Sequence, residues 1–296
     1  MKRVKEIVHA EKVYQAGYTG KNIRIAVLDT GIAKHPDLTH RDIYFLDMVN
    51  QKHSMYDDNG HGTHVAGILC GDGRMNRNRI SGMAPGADLV VIKVLDKNGN
   101  GETDDVLRAL EWVIHNYRIY NIRLLNFSVG FLPGADMEEQ RKILEAVEEL
   151  WDLGVMVVSA AGNNGPSGNS ITVPGISRKI LTVGASDDLT ADTITAPRGY
   201  SGKGPTGCCI VKPEVLAPGT RIISCDNRSN GYSIKSGTSM SAPVVCGALA
   251  LGMEKNPYFY PEDWKLKLYD SVWPRGTDIH QKSWGILHVD NLLQMN

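Results

Sequence analysis

Runs of apolar residues, many of them β-branched, recur along this chain, and stretches of helical period separate them. Ile23–Asp29, Asp88–Leu95, Ile122–Gly130, Val155–Ala161, Lys179–Ala185 and Glu214–Leu216 are such runs. They are nearly continuous rather than alternating, which is the pattern of strands buried on both faces. Strands that alternate with helices pack as a parallel sheet between two helical layers. The chain is therefore expected to adopt a three-layer α/β fold with a mainly parallel sheet.

The helical stretches support this. Val106, Leu110, Val113 and Tyr117 recur at spacings of four, three and four, which makes one apolar face. Thr103 is expected to cap that helix, with Asp104 and Asp105 in its first turn. From Asp136 to Leu153, Ile143, Val147, Leu150 and Trp151 fall on one side. Glu138, Glu139, Arg141, Lys142, Glu145 and Glu148 form a solvated opposite face. Residues 1–22 read as a short amphipathic lead-in ending in a Gly17/Gly20 turn. Asp187–Val211, rich in Gly, Thr and Pro, reads as loop and hairpin. The 296 residues contain no evident linker or repeat and are expected to form one domain.

Composition removes several partners. Lys and Arg number 32 against 33 Asp and Glu, a net charge of -1, so no field of one sign attracts nucleic acid or an anionic membrane. No apolar run is long enough to span a bilayer. The charged start at Met1–Glu6 is followed by no apolar segment of the secretory kind. The 5 cysteines are odd in number and irregularly spaced. Cys70, Cys225 and Cys246 read as small core residues. A reducing cytoplasm is the simplest compartment, or a secreted one if a leader has been trimmed.

Three groups that carry chemistry stand at strand ends or helix starts. Asp29 closes an apolar strand, where a carboxylate is costly to bury unless something pairs with it. His61 lies in Asn59–Gly60–His61–Gly62–Thr63–His64, ahead of a run of small and apolar residues. His61 and His64 share a helical face, but no third ligand suggests a metal. His61 reads as the reactive imidazole and His64 as a buried structural one. Ser239 lies in Ser236–Gly237–Thr238–Ser239–Met240–Ser241–Ala242–Pro243, before the apolar run Val244–Ala250. This is a turn feeding a buried helix. Pro243 is expected in its first turn, which has no need of proline's missing N–H. Taken alone, Ser239 could equally be an N-cap. Together, an acid, an imidazole and a hydroxyl are what nucleophilic acyl transfer requires. Asn163, in Ala160–Ala161–Gly162–Asn163, could be a turn former or an N–H donor to an oxyanion.

Asp29–Thr30–Gly31–Ile32 with His35–Pro36–Asp37–Leu38, the segment 59–67, the segment 160–163 and the segment 237–243 together resemble the subtilisin-like serine proteases. The order Asp, His, Ser is that family's. The resemblance implies a seven-stranded parallel sheet. It implies Ser239 as nucleophile, His61 as general acid and base, Asp29 as its orienter and Asn163 as oxyanion donor. It further implies a polypeptide bound extended between Ser128–Val129–Gly130 and Gly99–Asn100–Gly101. The side-chain pocket is expected between Ser128–Val129–Gly130, Ala160–Ala161–Gly162 and 171–174, with a taste for apolar or medium-sized residues. Segment 211–219, with its preceding Gly204–Pro205–Thr206, and Asn121–Ile122–Arg123 look most like cytoplasmic bacterial members.

No cofactor is expected. Many members carry a calcium loop where 71–79 stands, but one Asp among three Arg makes a poor oxygen cage, so calcium is not supported there, and a calcium site elsewhere is left open. The vicinal pair Cys208–Cys209 has no assigned role, and the oligomeric state is not readable. A protease dedicated to maturing one ribosomal peptide, or a binding pseudoprotease, would be the alternatives to a general endopeptidase. The serine does not lie in Gly-x-Ser-x-Gly, which excludes an α/β-hydrolase esterase.

Overall fold

The structure, a computed structural model, describes residues 1–131, 137–191, 196–207, 210–228, 231–273 and 283–295. Its centre is β1 (Arg24–Asp29). Around it lie β2 (Ile43–Asp47), β3 (Asp88–Lys93), β4 (Ile122–Phe127), β5 (Met156–Ala160), β6 (Leu181–Ala185) and β7 (Val215–Ala217). A separate antiparallel hairpin pairs β8 (Ile222–Cys225) with β9 (Tyr232–Lys235). The two-residue β10 (Gly285–Ile286) closes one edge of the main sheet. The order is β10-β7-β6-β5-β4-β1-β3-β2, and each of its pairings is parallel.

The sheet therefore has eight strands rather than the expected seven, and the shortest, β10, lies at its edge. β2 escaped the sequence reading because it is an edge strand, half exposed along most of its length, and lacks a continuous apolar run. Strand order reverses between β1 and β4. That is where an open parallel sheet leaves a crevice beyond its carboxyl ends.

Two short helices, α1 (Lys2–Ile7) and α2 (Glu11–Gln15), form the lead-in. They are pinned from both sides. The N–H groups of Thr19, Gly20 and Lys21 donate to the Glu254 carboxylate at 2.7, 2.6 and 3.2 Å. The carbonyls of Val8 and His9 accept from Val289 and Asp290.

Helices α3 (His61–Cys70) and α6 (Thr238–Lys255) pack together, α3 on β1 and α6 on β4 to β7. Helices α4 (Thr103–Asn116) and α5 (Met137–Asp152) pack together, with α4 on β1 and α5 on β5. Both of the latter bury the faces their periodicity specifies. Val106, Leu110 and Val113 are inside on α4, and Ile143, Val147, Leu150 and Trp151 on α5. Thr103 does not cap α4. It is the first helical residue, behind Glu102, and no side chain caps that end. Asp136, where the second periodic stretch was expected to begin, lies outside the described residues, as do Cys208 and Cys209. Helices α7 (Pro261–Ser271) and α8 (Val289–Leu292) complete the chain.

Helix α6 is buried from Thr238 through Met253, so it has no polar face. It begins before the serine, and this moves Pro243 into the helix interior. The expectation of a first-turn proline was therefore wrong by about half a turn. Proline there removes the N–H that would meet the carbonyl of Ser239. The backbone of Ser239 is thereby partly released from the helical ladder.

Candidate active site

Asp29 ends β1 and is fully buried. Its Oδ1 accepts from the Thr30 N–H at 2.7 Å and lies 2.7 Å from His61 Nδ1. A carboxylate only accepts, so Nδ1 carries the hydrogen and the lone pair is on Nε2. Oδ2 of Asp29 is buried with no hydrogen-bond partner among the described residues. That leaves negative charge beside the ring. Burial opposes the imidazolium, but the charge of Asp29 and its hydrogen bond outweigh it, and the His61 pKa is raised. The His61 side chain keeps a quarter of its surface exposed, which leaves it open to a substrate.

The histidine turn is built by a residue that sequence reasoning passed over. Asp57 is buried, and its Oδ1 accepts from Gly60 N at 2.7 Å, Asn59 N at 3.1 Å and Thr30 Oγ1 at 2.9 Å. Its Oδ2 accepts from Thr63 N at 2.9 Å and Thr63 Oγ1 at 2.6 Å. Burial works against this charge, yet the Thr63 and Gly60 donors prevail and lower its pKa. Its place four residues ahead of His61, with Thr63 two behind, was the available signal. The turn also needs glycine. A Cβ at Gly62 would stand 2.1 Å from the Gly31 carbonyl oxygen, so the imidazole loop approaches β1 backbone to backbone.

Lys93 was likewise read only as part of a strand. It is fully buried at the end of β3. Its ammonium donates to the carbonyls of Thr30 and Leu95 and to Asp58, each at 2.7 Å. It therefore ties the residue after Asp29 to the histidine loop. His64 is structural, as expected. Its Nε2 lies 3.1 and 3.2 Å from the carbonyls of Ile222 and Ser233, and burial pushes its pKa down to about 3.

Ser239 is the second residue of α6. Its hydroxyl donates to the Ser128 carbonyl at 3.2 Å and not to His61. The acid–imidazole pair is thus formed, and the imidazole–hydroxyl bond is not. Asn163 sits after β5, and its Oδ1 accepts from Thr238 N at 2.9 Å and Thr238 Oγ1 at 3.1 Å. Thr238 Oγ1 in turn accepts from Gly162 N at 3.1 Å. With its oxygen held by α6, the Asn163 amide has its NH₂ group left to donate.

Ser128–Val129–Gly130 follow β4, and the backbone groups of Val129 and Gly130 make no hydrogen bond among the described residues. Phe131 bridges Val173 through both backbone bonds, and Thr172 N donates to Ala161 O at 3.1 Å. These contacts join the 128–130 and 160–162 walls through segment 171–173. Thr172 fills the space between them. A Cβ on Gly130 would lie 2.4 Å from Thr172 Oγ1, and one on Gly162 would lie 2.5 Å from its methyl. That hydroxyl is buried with no partner among the described residues. The Gly99–Asn100–Gly101 turn is more self-contained than its residues suggest. The N–H and carbonyl of Asn100 are both taken by Asp96, and among the described residues only Gly101 keeps both backbone groups free.

A parallel sheet with an aspartate, an imidazole and a helix-borne serine at its carboxyl edge has the outline of a serine hydrolase. The comparisons specify which kind. The subtilase family profile matches residues 20–291, and the chain belongs to that family. It is 40% identical over 285 residues to serine protease AprX of Bacillus subtilis, covering 88% of this chain and 64% of that protein. It is 34% identical to subtilisin DY of Bacillus licheniformis, covering 97% of each. Among solved structures, a cold-adapted subtilisin-like serine proteinase superposes with a TM-score of 0.74 at 26% identity, over 92% of this chain and 90% of that one. Sphericase gives 0.73 at 31% identity, over 86% and 84%.

Proposed function

We propose that this protein is a serine endopeptidase acting through an acyl-enzyme on Ser239, within a single peptidase domain. The observation that carries the reading is the 2.7 Å pair of Asp29 and His61, which leaves the Nε2 lone pair free to act as base. The hydroxyl of Ser239 turns from the Ser128 carbonyl toward Nε2 when a substrate is bound. Nε2 takes its proton as Oγ bonds to the scissile carbonyl carbon. The resulting imidazolium is stabilised by Asp29. The carbonyl oxygen, now negative, receives hydrogen bonds from the Asn163 NH₂ and the Ser239 N–H. The imidazolium then protonates the leaving amine as the C–N bond breaks. Water repeats the sequence to free the acid and restore Ser239.

The substrate is an extended polypeptide that pairs with the unoccupied backbone groups of Val129, Gly130 and Gly101. The side chain before the cleaved bond enters between Ser128–Val129–Gly130 and Ala160–Ala161–Gly162, above Thr172. No metal takes part in the chemistry, and the Asp72 carboxylate in the 71–79 loop is already engaged by Arg74. A calcium-selective chelator is expected to leave the melting temperature unchanged, and a fall of many degrees would overturn that. Three free, buried thiols at Cys70, Cys225 and Cys246 suit a reducing cytoplasm. Among the described residues, no helix is long and apolar enough to cross a membrane.

Cleavage of a diverse peptide mixture, read by mass spectrometry with Ser239→Ala alongside, tests the proposal. Cuts that occur only with the wild type are expected. Equal silence from both, together with no labelling of Ser239 by a serine-directed phosphonate, would refute it.

A further inference from the structure

Away from the crevice, the segment between β1 and α3 brings His35 and Asp37 against Cys225, the last residue of β8. All three are buried, and their ligating atoms lie within 4.8 Å of one another. The catalytic reading uses none of them. We propose that this cluster is a binding site for one thiophilic divalent cation of the zinc class, held by His35 Nδ1, an Asp37 carboxylate oxygen and the Cys225 sulfur.

The surroundings orient the set as ligands. His35 Nε2 lies 2.9 Å from the carbonyl of Gly231, so that nitrogen carries the hydrogen and Nδ1 presents its lone pair. An imidazole fixed through its other nitrogen to a carbonyl is the usual support for a metal ligand. At Asp37, Oδ2 accepts from Tyr232 OH at 2.7 Å and Oδ1 from Met75 N at 2.9 Å. A carboxylate has about four lone-pair positions, so each oxygen keeps one. One nitrogen, one sulfur and one hard oxygen suit zinc, cadmium or cobalt and are too few oxygens for calcium or magnesium.

Binding has a defined cost. The Asp37 N–H now donates to Nδ1 at 3.1 Å and must give way. The Cys225 thiol, which burial keeps protonated, must release its proton to solvent as the metal–sulfur bond forms. Tetrahedral zinc with bonds of about 2.0–2.3 Å holds its donors roughly 3.5 Å apart, so donors now within 4.8 Å draw together by at most about 1.3 Å. The fourth position is left to water. Occupancy would lock the segment after Asp29 to β8, whose Ile222 carbonyl already holds His64 in α3.

The test is titration of the full-length protein, kept reduced, with Co²⁺. One equivalent is expected to bind with a thiolate-to-cobalt absorption in the near ultraviolet. X-ray absorption on the same sample is expected to count one sulfur, with nitrogen and oxygen completing the shell. Zn²⁺ is expected to displace the cobalt and raise the melting temperature by several degrees. Cys225→Ser and His35→Asn are each expected to weaken binding at least 100-fold. Absence of the band in the folded wild type, a sulfur count of zero or two, or a band that survives Cys225→Ser would each overturn the site. The X-ray count uses the wild type, so it decides the matter whether or not either variant folds.

Discussion

His61 donates from Nδ1 to Asp29 across 2.7 Å, while the buried Oδ2 of the same carboxylate has no hydrogen-bond partner of its own among the described residues. The pair is thus set to favour a proton on the imidazole. This has opposite consequences for activity and stability. The base must be neutral to act, so kcat/KM is expected to rise with pH, with its midpoint above 6.5, the ordinary histidine value. A raised folded-state pKa stabilises the fold fully below the unfolded value and loses that contribution as pH climbs through the folded one. A pH–rate profile and denaturant unfolding across the same range check both signs. A midpoint below 6.5 would refute the assignment.

Removing the nucleophile and removing the oxyanion donor are expected to differ in degree. Ser239→Ala is expected to lower turnover by about 10⁶ and Asn163→Ala by about 10²–10³, magnitudes known from subtilisin, a member of this family. Single-turnover assays on one good peptide separate them. Equal losses would show that Asn163 does something other than hold the oxyanion.

The unpartnered hydroxyl of Thr172 gives a specificity prediction. Thr172→Val keeps the shape and removes the donor. It is expected to cut kcat/KM about tenfold for peptides with a polar residue before the cleaved bond and to spare apolar ones. Thr172→Gly opens the floor between Gly130 and Gly162, and aromatic residues are expected to gain. A library profile that neither substitution alters would remove Thr172 from the pocket.

Lys93 acts through position rather than contact with substrate. Lys93→Met is expected to leave the Thr30 and Leu95 carbonyls unsatisfied and to cost about 1–3 kcal/mol of stability by denaturant unfolding. Because Thr30 follows Asp29, kcat is expected to fall while KM stays near its original value. An unchanged kcat would assign Lys93 to stability alone.

Acid weakens the fold through His64. Its pKa of about 3 keeps it neutral in the folded state, while the unfolded chain titrates near 6.5. The His64 contribution to stability is expected to be full above 6.5 and to decline as pH falls from there toward 3. His64→Gln is expected to flatten that decline, as shown by melting temperatures in that range.

The sequence by itself determined the layers and pointed to the candidate reacting groups. Continuous apolar runs require strands buried on both faces, and the faces of α4 and α5 follow from spacing alone. Asp29, His61, Asn163 and Ser239 were legible because small residues crowd around them in fixed order. Tertiary structure decided what depends on partners distant in the chain. β2 is a strand because it pairs with β3, and its own residues do not announce it. Pro243 lies inside α6 because the helix starts at Thr238, where Asn163 and Gly162 hold the backbone and side chain. Asp57 and Lys93 read as an ordinary turn acid and strand lysine until folding closes β1, β3 and the histidine loop around them. Local pattern is written in residues a few positions apart. A buried charge takes its role from whatever the fold sets against it.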